Sequence, residues 1–254
     1  MIESSQNKKV KLWKKLKTKK GRQQENLYLV EGEHLVQEAA AKLSESEIQN
    51  LILTEEHRDK LLGFPEDKII YVSQKVAMEL AETETTQGMF AVIKKKETVL
   101  PRTVKRPYLF LDAVQDPGNM GALIRTAAAA GFEGVVCGSG SVDPYNMKAL
   151  RGSQGMHFNL AVYEGNLEDW ITYFQDQGFT VFGTALDQEA QVYTSISPSS
   201  YPFALMVGNE GQGINPDLLK MTDMNLYIPL ADQVESLNVS IAAGILMFHL
   251  YDNR

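Results

Sequence analysis

The chain has 254 residues, is 44% hydrophobic and carries a net charge of −7, enough to bury a substantial core in one or two domains. Its apolar runs fall well short of the roughly 20 residues that span a bilayer, and its basic N-terminus lacks the apolar core of a secretory signal, so no membrane role is expected. The lone Cys137 excludes an internal disulfide and a cysteine-based zinc cluster, which points to a soluble protein in a reducing, cytoplasmic setting.

Charge is unevenly spread. Residues 1–24 hold nine Lys/Arg against one Glu, a net +8, whereas residues 25–106 come to −4 and residues 107–254 to −11. A compact basic segment on an acidic chain reads as an anion-binding device, and nucleic acid phosphate is the anion it suits best. Within it, the stretch from Lys8 to Lys17 sets Val10, Trp13 and Leu16, or Leu12, Trp13 and Leu16, at helical spacing with lysines on the other faces. Such a helix can lie on RNA, on an acidic membrane or on a calmodulin-like partner. It can equally pack its apolar stripe on its own domain and leave the lysines in solvent.

Further along, apolar runs predict strands at Tyr28–Val30, Asn50–Leu53, Ile69–Val72 and Met89–Ile93, with helices over Leu35 to Leu43 and Lys75 to Ala81. The charged stretch between Lys94 and Pro107 contains two prolines and no apolar periodicity, and reads as a linker at 96–106 between domains at 1–95 and 107–254. From Tyr108 onward strands and helices alternate, with strands near 108–112, 134–137, 158–162, 179–184, 203–207 and 225–228. That alternation predicts an α/β domain with a mainly parallel sheet.

Three of the later segments are rich in Gly and Asn. Asp116-Pro117-Gly118-Asn119 reads as a turn before a helix from Ala122 to Ala130, which puts Arg125 near the open end of an otherwise apolar helix, where a guanidinium needs a partner or a function. Phe203–Val207 suits a strand covered on both faces, and the glycines that follow allow close approach of a ligand. Leu226–Pro229 ends a strand, and Ser236-Leu237-Asn238 opens a helix running to Phe248, with Ser236 or Asn238 as its N-cap. Polar loops at the ends of buried strands are where α/β proteins bind cofactors. Neither a Gly-x-Gly-x-x-Gly after the first strand nor a Walker Lys-Ser/Thr ending is present, which argues against an ordinary nucleotide-dependent enzyme.

Taken in order, Asn119-Met120-Gly121-Ala122-Leu123-Ile124-Arg125-Thr126-Ala127, Val207-Gly208-Asn209-Glu210-Gly211-Gln212-Gly213-Ile214, and Ile228-Pro229-Leu230 followed by Val234 to Ala242 resemble the three motifs of the SpoU/TrmH-like RNA 2′-O-ribose methyltransferases. The resemblance covers roughly residues 107–254. Residues 1–95 resemble, more loosely, the small α/β sandwich akin to a ribosomal-protein fold that precedes the catalytic domain in many such enzymes. It implies a C-terminal SPOUT domain whose chain threads a trefoil knot, S-adenosylmethionine bound against that knot, pairing of two subunits through it, and transfer of a methyl group to RNA, with ribosomal RNA as the expected substrate. A transfer RNA or antibiotic-resistance enzyme, or a non-catalytic RNA-binding protein that keeps the fold, is the alternative.

The resemblance also carries roles onto individual residues. Gly208, Ile228, Leu230, Leu237 and Asn238 match cofactor-holding positions, with Ala242 as a further apolar wall. Arg125 matches the arginine that acts on the ribose 2′-hydroxyl, and Asn119, Glu210, Ser236 and Asn238 match the other polar positions of the site. With a pKa above about 12, a guanidinium is better suited to positioning phosphate and stabilising an alkoxide than to serving as a literal base. Taken alone, Gly208 reads as a tight turn, Glu210 as a carboxylate at a helix N-terminus and Ser236 as a cap. Lys8, Lys11, Lys15, Arg22, Lys148 and Arg151 are the expected RNA contacts, the last two set against a structural salt bridge. His157 and His249, flanked by apolar residues, read as packed histidines rather than bases.

Overall fold

The computed structural model describes residues 1–61, 64–96, 99–186 and 189–252. These form two compact units, one of residues 1–97 with 145–158 and the other of residues 98–144 with 159–254. No helix among the described residues is long and apolar enough to cross a membrane.

The first unit opens with helix α1 (Lys8–Lys15), capped by Asn7, whose side chain accepts the Lys9 N–H. Its inward stripe is Val10, Trp13 and Leu16, all at most 1% exposed in a core with Val76, Leu80 and Phe90. The apolar face is therefore spent inside the unit, which removes it from any membrane or helix-binding partner, while Lys8, Lys9 and Lys11 remain exposed. Lys15 is also exposed and pairs with Glu25 at 3.5 Å. A second helix, α2 (Lys19–Glu25), follows after the Thr18 cap. Its Gly21 lies so close to α1 that a Cβ there would sit 2.0 Å from the Lys15 carbonyl oxygen.

Arg22 corrects an expectation. It is 2% exposed, and its guanidinium donates to the Leu16 carbonyl at 2.8 Å, so it closes the end of α1 instead of reaching RNA. The chain then runs through β1 (Leu27–Glu31), α3 (Glu33–Lys42), β2 (Ile48–Leu53), β3 (Ile69–Tyr71), α4 (Gln74–Leu80) and β4 (Met89–Lys94). The sheet has the order β1-β4-β2-β3, antiparallel except for the β2–β3 pair.

The second unit carries the longer sheet. Its elements begin with β5 (Tyr108–Leu111), α5 (Pro117–Ala129) and β6 (Gly134–Cys137), after which α6 (Met147–Ser153) belongs to the first unit. Then come β7 (Ala161–Glu164), α7 (Leu167–Asp176), β8 (Val181–Thr184), β9 (Gln191–Val192), β10 (Ala204–Val207), α8 (Pro216–Leu219), β11 (Met224–Tyr227) and α9 (Val239–Leu250). All seven strands are parallel, in the order β7-β6-β5-β10-β8-β11-β9. β5 and β10 are buried along their whole length, as strands paired and covered on both sides must be. Phe110, Trp170 and Phe174 pack edge to face beneath them.

Several boundaries differ from expectation. The helix expected from Ala122 begins at Pro117, because Asp116 caps it by accepting the Asn119 N–H and proline suits the first helical position. Arg125 consequently lies in its third turn. The strand expected at 158–162 lies at 161–164, behind a 3-10 turn at Met156–Phe158. Of the linker at 96–106, residues 97 and 98 lie outside the described residues. Its distal part is anchored, with Val104 in the second unit's core and the N–H groups of Lys105 and Arg106 on the Glu133 carboxylate. Residues 145–158 join the first unit because Met147 and Leu150 fill its two cores and Tyr145 stacks on Tyr28.

Removing the buried guanidinium leaves the Leu16 carbonyl without its donor, so Arg22→Ala should lower unfolding free energy by about 2 kcal/mol in urea melts.

Candidate active site

The sheet order reverses between β5 and β10: from β5 the chain moves outward through β6 to β7, and it returns beside β5 only at β10. At such a switch point the loops beyond the strand ends part and leave a crevice. The loops in question are residues 112–116, leading into α5, and residues 208–215.

The second loop is folded tightly on itself. Asn209 and Gly213 exchange both backbone hydrogen bonds at 2.9 Å, and the Asn209 side chain accepts the N–H groups of Gly211 and Gln212. Its Nδ2 donates to the Ala113 carbonyl at 2.9 Å, fastening this loop to the one after β5. Asn209 was not among the expected site residues, although it lies within the second motif. Gly208 is required here for a reason other than room for a ligand. A Cβ on it would lie 2.1 Å from the Gly213 carbonyl carbon and 2.2 Å from the Ile214 nitrogen. No side-chain rotation relieves a collision with backbone.

Glu210 joins the segments. Its carboxylate accepts the Asn119 side-chain amide at 3.0 Å and the N–H groups of Asp116 and Gln115 at 3.3 and 3.4 Å. Asn119 in turn accepts from Asn238 Nδ2 at 3.0 Å, and Asn238 Oδ1 accepts the Ser240 N–H as the N-cap of α9. Partial burial works to raise the Glu210 carboxyl, but the bonds from Asn119 and the backbone N–H groups prevail and hold it below the usual carboxylate range. Asn238 rather than Ser236 caps α9, and Ser236 lies exposed in the preceding loop.

Beside this chain of bonds is a cavity of about 520 Å³. Gly208, Glu210, Ile228, Leu230, Ser236 and Leu237 all line it, together with Leu226, Ala242, Leu246 and Glu235. Asn119 and Asn238 adjoin it through Glu210 without lining it. The lining joins an apolar wall to two carboxylates and, among the described residues, contains no Lys or Arg, a set that fits a flat aromatic group carrying a positively charged neighbour, as S-adenosylmethionine does.

Arg125 is not drawn into this cluster. It is exposed on α5, six residues beyond Asn119, and among the described residues its guanidinium has no hydrogen bond or ion pair. Lys148 and Arg151 lie on α6 in the first unit, where Arg151 stands 3.7 Å from Glu31 and 3.6 Å from Glu82, a structural ion pair rather than a phosphate contact. His157, also in the first unit, bonds Ser153 Oγ at 3.0 Å, and burial pushes its pKa down to about 3. His249 bonds the Ile196 carbonyl at 2.8 Å. Neither histidine belongs to the cavity.

Because any Cβ at position 208 forces the Asn209–Gly213 bridge open, Gly208→Ala should weaken S-adenosylmethionine binding at least tenfold by calorimetry, a cost of about 1.4 kcal/mol.

Known proteins share this architecture. The sequence model of the SpoU rRNA Methylase family matches residues 106–248, and that of the MRM3-like substrate binding domain matches residues 7–91. The chain is 45% identical to the 23S rRNA (guanosine(2553)-2′-O)-methyltransferase RlmP of Bacillus subtilis, with 98% of each chain covered. It is 29% identical to the 23S rRNA (guanosine-2′-O-)-methyltransferase RlmB of Shewanella oneidensis, over 72% of this chain and 77% of that one. The crystal structure of an AdoMet-bound rRNA methyltransferase from Sinorhizobium meliloti superposes with a TM-score of 0.87 at 28% identity, covering 97% of this chain and 95% of that one. With the motif loops assembled around one cavity and the match running through nearly the whole second unit, the chain belongs to the SpoU rRNA methylase family.

Proposed function

We propose that this SpoU-family protein, an S-adenosylmethionine-dependent RNA 2′-O-ribose methyltransferase, acts on a guanosine of 23S rRNA. The observation that carries the reading is the convergence of Asn119, Glu210 and Asn238 beside a cavity that suits the cofactor. The nature of the substrate is supported by the two relatives just described, each of which methylates a guanosine of 23S rRNA.

Bound in this cavity, S-adenosylmethionine supplies an already activated methyl group, so the protein's share of the work is alignment, exclusion of water and help with proton loss. Leu230, Leu237 and Ala242, which line the cavity, would wall the cofactor's adenine, with the backbone at Gly208 and Ile228 holding it. Glu210, held ionised and occupied by its donors, is a poor general base and serves to fix the loops. Arg125, exposed and unpaired, is free to fork onto an RNA phosphate beside the target ribose, lower the cost of the developing alkoxide and let the hydroxyl proton pass to that phosphate. Ser236, which is exposed and lines the cavity, hydrogen-bonds the incoming ribose in this reading.

Lys8 and Lys11 of α1, exposed beside the paired Lys15, supply the phosphate contacts of the first unit, whose match to a substrate-binding domain supports this role. The trefoil knot, the division into a binding unit and a catalytic unit, and a cytoplasmic setting complete the reading. Pairing of two copies is supported by α9, which leaves Ile241, Ile245 and Phe248 exposed at 56%, 36% and 61%, one apolar face at helical spacing.

Labelled methyl from S-adenosylmethionine should pass to 23S rRNA that lacks the modification and map to one guanosine ribose. Arg125→Ala should lower turnover at least about a hundredfold and leave cofactor affinity within twofold, while Arg125→Lys should recover only part of it, because the charge stays and the fork is lost. Near-normal turnover in Arg125→Lys would sink the bidentate role. In sedimentation, Phe248→Asp should shift a dimer towards monomer; an unchanged dimer would place the interface elsewhere.

A further inference from the structure

A second cavity, of about 450 Å³, opens beyond the carboxyl ends of β5 and β10. Asn209 and Gly213 line both cavities, so their loop is the wall between them. The lining of the second cavity is polar but, like the first, contains no Lys or Arg among the described residues. Two carboxylates, Asp112 and Glu168, would repel a phosphate there. What suits it is an uncharged ligand rich in hydrogen-bond donors.

The side chains around it are fixed in a specific pattern. Asn166 caps α7, its Oδ1 accepting the Glu168 N–H at 3.0 Å, and Asn215 caps α8, its Oδ1 accepting the Asp217 N–H at 2.8 Å. With each oxygen engaged, each amide retains Nδ2 as a donor. Among the described residues, neither Nδ2 nor the Glu168 carboxylate has a partner. The buried Asp112, 8% exposed, commits Oδ2 to the Asn215 N–H at 2.6 Å and so holds that cap in place.

We propose that this cavity receives the guanine base of the target nucleotide, with Glu168 reading its donor edge, an inference that rests on the methyltransferase reading above. Guanine offers two adjacent donors, N1–H and the exocyclic N2–H, which match the two oxygens of one carboxylate as an arginine fork does. Its O6 and N7 are acceptors, which match the amide donors of Asn166 and Asn215. Adenine would turn its ring N1, an acceptor, towards Glu168 and cannot pair this way. A ribose is the same in every nucleotide, so an enzyme that acts on one ribose must find its address elsewhere, and the base attached to it is the nearest feature that differs. The nucleoside would straddle the Asn209–Gly213 loop, ribose towards Glu210 and base towards Glu168.

The test uses the full-length protein saturated with S-adenosylhomocysteine and titrated with GMP, IMP, AMP and CMP while backbone amide shifts are followed. GMP should move the amides of Ala113, Glu168 and Gly213 and bind about tenfold more tightly than AMP or CMP, with IMP, which lacks the N2 amino group, weaker than GMP. Glu168→Gln, an exposed substitution, should erase the preference, and Asn166→Asp, which keeps the α7 cap and loses the donor, should weaken GMP. Cofactor affinity should be unchanged in both. Equal binding of the four nucleotides, GMP shifts confined to other regions, no GMP binding at millimolar concentration, or an intact preference in Glu168→Gln would each overturn the proposal while cofactor binding and rRNA methylation stood. Failure to bind the cofactor at all would instead overturn the methyltransferase reading, and this inference with it.

Discussion

The charge on Glu210 sets the orientation of the two amides that link the motif loops to α9. A carboxylate can only accept, so Asn119 must turn Nδ2 towards it, which leaves Oδ1 facing Asn238. Asn238 must then present Nδ2 to Asn119, and its Oδ1 is left for the N–H of Ser240 at the start of α9. One ionised group thus decides two amide orientations and a helix cap, across segments that lie 91 and 119 residues apart in the chain. Its depressed pKa has the same origin, since a proton would remove acceptor capacity that three N–H donors already use.

Around that constraint the work is divided between backbone and side chains. The cavity is shaped largely by backbone geometry: Gly208 has no room for a Cβ, the 209–213 loop closes on its own hydrogen bonds, and the apolar wall comes from strand end, loop and the inner face of α9. A pocket built in this way does not depend on long side chains finding their rotamers. Arg125 has the opposite character. Among the described residues no partner holds it, which suits the proposed role of a group whose ligand is the phosphate of a substrate.

Much of this was legible in the sequence, for identifiable reasons. A parallel strand covered on both faces is an unbroken apolar run, so Tyr108–Leu111 and Phe203–Val207 announce themselves. The motif loops are legible because Gly and Asn cluster where backbone must turn sharply. The start of α5 was misplaced because Asp-Pro-Gly-Asn is read as a turn as readily as a capped helix start, and only the Asp116 to Asn119 bond decides between them. Arg22 and Arg151 read as RNA contacts because charge is visible in a sequence and its partners are not. Those partners, the Leu16 carbonyl that the buried Arg22 meets and the Glu31 beside Arg151, follow from tertiary packing alone. The apolar residues of 145–158 state that they are buried but not in which core.

The distribution of charge then constrains how RNA can be held. Among the described residues the cavity walls hold no Lys or Arg, and residues 107–254 sum to −11, so that part of the chain by itself repels a polyanion. In the proposed reading attraction comes from the lysines of the first 24 residues, whose apolar neighbours Val10, Trp13 and Leu16 are locked in a core. Counterion release there supplies affinity without regard to sequence. Selection must come from contacts that are uncharged or acidic, because these add little to loose binding and reward only a nucleotide that meets them correctly. Acidic charge in one part of the chain and basic charge in another is therefore a coherent distribution for the proposed enzyme, which must hold long RNA firmly and modify very little of it.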